Sequence, residues 1–285
     1  MNTAVNSYRA GMRRAKIALR VSLTTPSDLL GYVLPIAISL TVLFFLRNTD
    51  YDGAAVSLGS MSVPSLLGMN LVFGGVLGVT GVLVMDRTTG TLLRAKSLPG
   101  GTTGYLVGEI ASIGAFTMIL SIAFAGAGLL LFDGLVFDSP QRWLMFLAIL
   151  VLGQLSTLPL GAVLGALINN PRNMGLVTLP IMGLIGISGI FYPIATLPGW
   201  VQGIGQTFPM YWLGLGMRHA FLPDSMAAVE IGGTWRTPMM FAVLAAWTIA
   251  SMAVAPVLLR RMARRESGSA VAVRREKMQQ MMTGQ

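Results

Sequence analysis

Long, unbroken apolar runs separated by short polar stretches dominate this chain. Six runs qualify as membrane spans, over 29–46, 63–85, 105–132, 143–168, 174–192 and 238–259. A spanning helix needs about 20 mostly apolar residues, and inside lipid only a helix or a closed barrel satisfies its own backbone. The strands of a barrel alternate apolar and polar positions, whereas these runs are continuously apolar. The pattern therefore predicts an all-α integral membrane protein with six transmembrane helices, its membrane domain covering 27–260.

Two further segments depart from the simple pattern. Ahead of the first run, Val5, Tyr8, Met12, Ala15, Leu19 and Leu23 recur at steps of three and four, beside a basic row of Arg9, Arg13, Lys16 and Arg20. This predicts an amphipathic helix over 1–26, lying at the cytoplasmic interface with its basic groups toward lipid headgroups. The stretch lacks the small-residue cleavage site of a secretory signal. After the fifth run, Ser188-Gly189-Ile190-Phe191-Tyr192-Pro193 leads to Leu197-Pro198-Gly199-Trp200 and then to Phe208-Pro209-Met210-Tyr211-Trp212. Too broken to span, the segment 193–222 predicts short external helices that re-enter the membrane or lie on it. Trp200, Tyr211 and Trp212 are expected at headgroup depth.

Charge fixes the expected orientation. All but four of the 20 Lys and Arg residues fall before the first span, after the second, after the fourth or after the sixth. The exceptions are Arg47, Arg142, Arg218 and Arg236, on the side that also carries Asp50, Asp52, Asp133, Asp138, Asp224 and Glu230. The positive-inside rule then puts both termini in the cytoplasm, including a basic tail over 261–285 with Arg274, Arg275 and Lys277. The net charge of +9 thus reflects topology and attraction to anionic lipid rather than to nucleic acid.

Composition agrees and narrows the chemistry. Charged residues make up 11% of the chain, against roughly 25% in a soluble domain. There is no Cys and one His, His219, which argues against a metal centre, a thiol nucleophile or a membrane-embedded enzyme with clustered catalytic groups. Gly74 with Gly78, and Gly161 with Gly165, have the spacing that lets helix backbones approach closely. Pro35, Pro159, Pro180 and Pro256 are expected to bend their helices. Polar residues within the runs are few, so Asn70 and Gln154, with Phe73, are the candidates for a substrate path, or else for hydrogen bonds between helices. Glu109, at the start of the third run, is expected to pair with a basic residue of the leading helix or of the polar island that follows span two.

That island is Asp86-Arg87-Thr88-Thr89-Gly90-Thr91-Leu92-Leu93-Arg94-Ala95-Lys96-Ser97-Leu98-Pro99. It predicts a short cytoplasmic helix over 86–99, held at the membrane surface by the runs on either side. Asp86, Thr88 or Thr89 is expected to cap it.

On these residues the chain resembles the permease subunits of ABC type-2 exporters, most closely the daunorubicin-resistance kind. Asp86-Arg87-Thr88-Thr89-Gly90-Thr91-Leu92 followed by Pro99 is similar to the family's acidic-Arg-x-x-Gly-Thr-Leu pattern after span two, with Asp86 where Glu is common. The segment Gly189, Phe191, Tyr192, Pro193, Pro198, Trp200, Pro209 and Arg218 is similar to the family's external segment and gate.

The resemblance implies an ATP-driven exporter of a hydrophobic or amphiphilic substrate such as a drug, natural product or lipid, in the cytoplasmic membrane. Nothing in the chain matches the phosphate-cradling loop G-x-x-x-x-G-K-[ST]. ATP and magnesium would therefore sit on a separate ATPase subunit, with no cofactor bound by this chain. Two permeases, identical or paralogous, would pair. Asp86, Arg87, Gly90, Thr91, Leu92, Leu93 and Arg94 would couple to the ATPase, the leucines entering its groove and the cations meeting its acidic rim. The competing reading, a secondary multidrug-type transporter, calls for buried mid-membrane charges and repeat symmetry that the sequence does not display. A permease for a polysaccharide or other polar substrate fits the apolar runs less well.

Overall fold

The computed structural model describes residues 3–49, 56–98, 100–168, 170–265, 267–269 and 272. Asp50, Asp52, Pro99, Arg274, Arg275 and Lys277 lie outside the described residues, as does most of the tail. Every regular element among the described residues is helical.

Helix α1, Thr3–Thr24, is followed by α2, Pro26–Phe45. One long helix, Leu58–Thr89, comprises α3, Leu58–Val72, a π-helical turn, Phe73–Gly78, and α4, Val79–Thr89. It starts where Ser57 Oγ accepts from the Ser60 amide at 3.2 Å, satisfying one of the orphan donors of a helix start. The short α5, Thr91–Lys96, leads to α6, Gly101–Leu131, and α7, Pro140–Leu167. A 3₁₀ turn, Pro171–Met174, precedes α8, Gly175–Ile187; then come α9, Gly199–Thr207, α10, Pro209–Phe221, and α11, Thr237–Arg265. Proline occupies the first turn of α2, α7 and α10, where its missing N–H costs nothing.

Among the described residues, four helices are long and apolar enough to cross a membrane: Leu58–Thr89, Gly101–Leu131, Pro140–Leu167 and Thr237–Arg265. These correspond to the expected spans two, three, four and six. The expected first span falls on α2, whose apolar described part is Val33–Phe45. The expected fifth span is cut short. Helix α8 has 13 residues and ends at Ile187 rather than at 192. At roughly 1.5 Å per residue it covers about 20 Å of a hydrocarbon layer about 30 Å thick.

Helices α9 and α10 form a hairpin driven into the bundle. Leu213 of α10 sits against Gly153, midway along α7, where an added Cβ would come within 2.8 Å of the Leu213 methyl. At its far end α10 meets the start of α7, since Arg142 Nη1 donates to the Leu222 carbonyl at 2.6 Å. Gly214 packs backbone to backbone on Gly68 of α3 and on Ile190. Tyr211 and Trp212 are therefore completely buried within the chain; Trp200, 72% exposed, is the one aromatic of the expected three that faces outward.

The long helices approach closely through glycine, though not entirely where spacing predicts. A Cβ on Gly161 would lie 2.3 Å from the Gly75 carbonyl, and one on Gly75 would lie 2.0 Å from Thr157 Oγ1. Gly74 meets Thr117 in the same way, whereas Gly78 has ordinary room. Within the π turn it is therefore Gly74 and Gly75, rather than Gly74 and Gly78, that meet neighbouring helices closely. Thr80 Oγ1 donates to the Gly161 carbonyl at 3.0 Å and seals the α4–α7 seam.

The leading helix docks on the bundle through small residues. Gly11 and Ala15 are its buried residues, and Gly11 lies against Gly104 and Val107 of α6 while Gly108 approaches Gly11 in return. Val5, Tyr8 and Met12 of the expected apolar stripe stay exposed. Small residues dock α1 on α6 because two helix backbones meet only where no side chain intervenes.

Candidate functional site

The polar island folds as an elbow between α4 and α6. Helix α4 ends because Gly90 takes a left-handed conformation, φ 79° and ψ 12°, which only glycine adopts without cost. Helix α5 starts directly from it. Its N-cap is Gly90, with no side-chain cap. The expected caps do other work: Thr88 and Thr89 hydroxyls donate to the carbonyls of Val84 and Asp86 within α4, and Asp86 accepts from the Tyr105 hydroxyl of α6.

Arg87 and Leu92 point inward. Arg87 is 4% exposed and donates from Nη1 to the Ile168 carbonyl at 2.6 Å, a cation on an orphan acceptor at the C-terminal end of α7. Leu92, 1% exposed, sits among Val79, Leu83, Tyr105, Leu259 and Met262. Lys96 Nζ donates to the Arg264 carbonyl at the end of α11. The elbow is thus clamped to α6, α7 and α11. Thr91 and Leu93 are half-buried, while Thr89, Arg94, Ser97 and Leu98 form its outer surface. Beside it, joined through the Arg87–Ile168 bond, the turn Pro171–Met174 exposes Arg172 and Asn173.

At the opposite end of the bundle one arginine organises the broken segment. Arg218 Nη1 donates to the carbonyls of Gly189 and Ile190 at 3.0 and 2.9 Å, and its Nε donates to Glu230 Oε1 at 2.7 Å. Gly189, at φ 67°, lets the chain turn so that these carbonyls face the guanidinium, which is why α8 stops early. Tyr192 donates to the Gly186 carbonyl, Pro193 precedes the 3₁₀ turn Ile194–Thr196, and Pro198 precedes α9. Pro209 opens α10. Phe191 and Trp200 are exposed.

Between these ends lies a groove of about 580 Å³, walled by α1, α2, α3, the π turn and α6. Asn70 and Phe73 line it, together with apolar residues such as Met69, Leu77, Phe116 and Leu120. Ser39, Ser112 and Thr117 add hydroxyls, and Glu109 contributes the one carboxylate of its lining. Glu109 pairs with Arg14 of α1 at 3.5 Å, as its sequence position predicts. Gln154 is absent from this groove. It is buried and donates to the Gly114 carbonyl at 3.4 Å, so among the three path candidates it serves to join α7 to α6.

A profile of the ABC-2 type transporter family matches residues 13–222, from the middle of α1 to the end of α10. The chain belongs to the ABC-2 type transporter family. No curated protein matches it. As an ABC-2 protein it is a multi-pass membrane permease subunit, from a family of transport subunits that work with an ABC ATPase.

The ABC-2 permease carries structural features at these sites that its sequence does not announce. Glu230, which neutralises Arg218, lies beyond the matched segment, and nothing in the intervening loop marks it as a partner. Tyr105 was legible only as a span residue, yet it joins α6 to the elbow. Its spacing of four from Glu109 puts both on one face of α6, and that face meets α1 and α4. The π turn that lines the groove has no sequence signature beyond its paired glycines.

Proposed function

We propose that this ABC-2 chain is the permease of an exporter of the drug-resistance kind, moving a hydrophobic or amphiphilic substrate out across the cytoplasmic membrane. Two such permeases pair, as a homodimer or with a paralogue. Each docks one separate ATPase, which binds ATP and magnesium. Six passes, counting α2 and α8 with its re-entrant hairpin, leave both termini in the cytoplasm.

The observation that carries this reading is the elbow. The short helix α5 with its flanks, clamped to α6, α7 and α11, presents Arg94, Ser97 and Leu98 outward. A push on such a surface moves helices together rather than bending a loop. Coupling contact falls on that outer row and on the neighbouring turn Pro171–Met174, with Asp86, Arg87, Gly90 and Leu92 holding the shape beneath. The groove supplies the substrate path: mostly apolar walls desolvate a lipophilic body, and a few hydroxyls, Asn70 and Glu109 orient its polar end.

Co-expression with a candidate ABC ATPase subunit tests the assignment. The permease alone is expected to hydrolyse no ATP, and the pair to hydrolyse it and transport lipophilic dyes into inverted vesicles. Hydrolysis by the purified permease, or dye transport driven by a proton gradient without ATP, overturns it.

A further inference from the structure

Helix α1 carries a second concavity that the transport reading does not use. Asn6, Arg9, Ala10, Arg13, Arg14 and Ile17 enclose a surface groove of about 570 Å³. At 100° per residue, Arg9 and Arg13 stand between this groove and the exposed row Val5, Tyr8 and Met12, while Gly11 and Ala15 face α6 on the far side. Arg9, Arg13 and Arg14 line it on either side of Ala10, with no carboxylate in the lining. Apolar side chains wait along the adjoining edge. That is the chemistry of a phosphodiester headgroup whose acyl chains continue into a membrane.

Arg14 belongs to both grooves. Its guanidinium reaches Glu109 Oε2 at 3.5 Å and lies 4.6 Å above the centre of the Tyr105 ring, while the residue also lines the surface groove. Tyr105 in turn donates to Asp86 at the elbow. A dianionic or monoanionic phosphate seated among Arg9, Arg13 and Arg14 draws on the same cation that neutralises Glu109.

We propose that this groove is a headgroup site for one anionic phospholipid, and that the lipid competes with Glu109 for Arg14. Bound lipid leaves the Glu109 carboxylate facing the transport groove without its partner; an empty site returns Arg14 to Glu109. The lipid composition around α1 thereby sets the charge at one end of the substrate path. The proposal concerns this chain's own side chains and holds whatever the substrate.

The full-length chain, purified in a neutral detergent, is titrated with phosphatidylglycerol and with phosphatidylcholine, and bound lipids are counted by native mass spectrometry. One phosphatidylglycerol should bind in preference to phosphatidylcholine. Arg9→Gln with Arg13→Gln should weaken it by about tenfold or more, since each basic residue near a phosphate contributes appreciably. Arg261→Gln with Arg265→Gln, exposed on α11, should leave it unchanged and so controls for charge in general. Glu109→Gln should tighten binding several-fold, because Arg14 is then released. Excess glycerol phosphate should not displace the lipid. Equal binding by the Arg9 and Arg13 variant, equal loss in the α11 control, or no gain in Glu109→Gln overturns the proposal. Full displacement by glycerol phosphate assigns the groove to a soluble anion, and absence of any phosphatidylglycerol preference, with Arg9 crosslinking to the ATPase, assigns it to a protein surface; either outcome also overturns it.

Discussion

Arg218 and Glu230 meet at 2.7 Å with both side chains 1% exposed, and the same guanidinium holds the carbonyls of Gly189 and Ile190. One side chain thereby ties the end of α8, the hairpin helix α10 and the loop before α11 into a single outer cap. Removing one partner of a buried pair strands the other's charge, at a cost of about 3 to 5 kcal/mol, whereas replacing both with apolar residues costs much less. Arg218→Met and Glu230→Met should each lower thermal stability in detergent sharply, and the double variant should recover most of it. Additive losses would mean that the pair is not the tie.

The glycine seam separates tolerant from intolerant positions. Gly161→Ala forces a Cβ to 2.3 Å from the Gly75 carbonyl, and overpacking of this kind costs about 1 to 3 kcal/mol. Gly81→Ala meets nothing within 4 Å and should be neutral or mildly stabilising in the helix. Thermal unfolding of the two variants side by side checks the contrast. Equal melting temperatures would contradict the close approach of the π turn and α7.

At the elbow, two arginines that look equivalent in sequence should behave differently. Arg87→Glu places a carboxylate against the Ile168 carbonyl in a buried site and should impair folding, read as loss of monodisperse protein. Arg94→Glu, on the outer surface, should fold normally yet lose most ATP-driven transport. Gly90→Pro cannot reach φ 79° because proline fixes φ near −65°, so it should break the elbow rather than uncouple a folded protein. Gly90→Ala should cost about 1 to 2 kcal/mol.

The groove makes a steric prediction. Leu120→Trp, introduced from its α6 wall, should leave expression and ATPase assembly intact while reducing dye transport several-fold. Gln154→Leu, outside the groove, should affect stability more than transport. A dye flux unchanged by Leu120→Trp would remove the groove from the path.

What could be read from the sequence follows from how far each signal reaches along the chain. Four long apolar runs announce four long helices because burial in lipid depends on each segment alone. Helix α8 was read as a full span because its apolar run continues past Ile187; what stops it is Arg218, about thirty positions away in the chain, and no local pattern carries that. The contact of α1 with α6 has no hydropathy signal for a different reason: Gly11 has no side chain to rank, and close packing on α6 needs the absence of side chain, not its hydrophobicity. In α5, six residues are too few for periodicity to separate the inner Leu92 from the outer Arg94.

The central claim is that the outer face of the elbow, from Arg94 to Leu98, receives the ATPase. The chain has no Cys, so single cysteines can be placed without background. With Leu98→Cys, 64% exposed, and Leu92→Cys, 1% exposed, crosslinking to the co-expressed ATPase should occur at position 98 and not at 92, and ATP should change the yield at 98. Absence of any crosslink at 98 and at Arg94→Cys, in a complex that still hydrolyses ATP, would contradict the account.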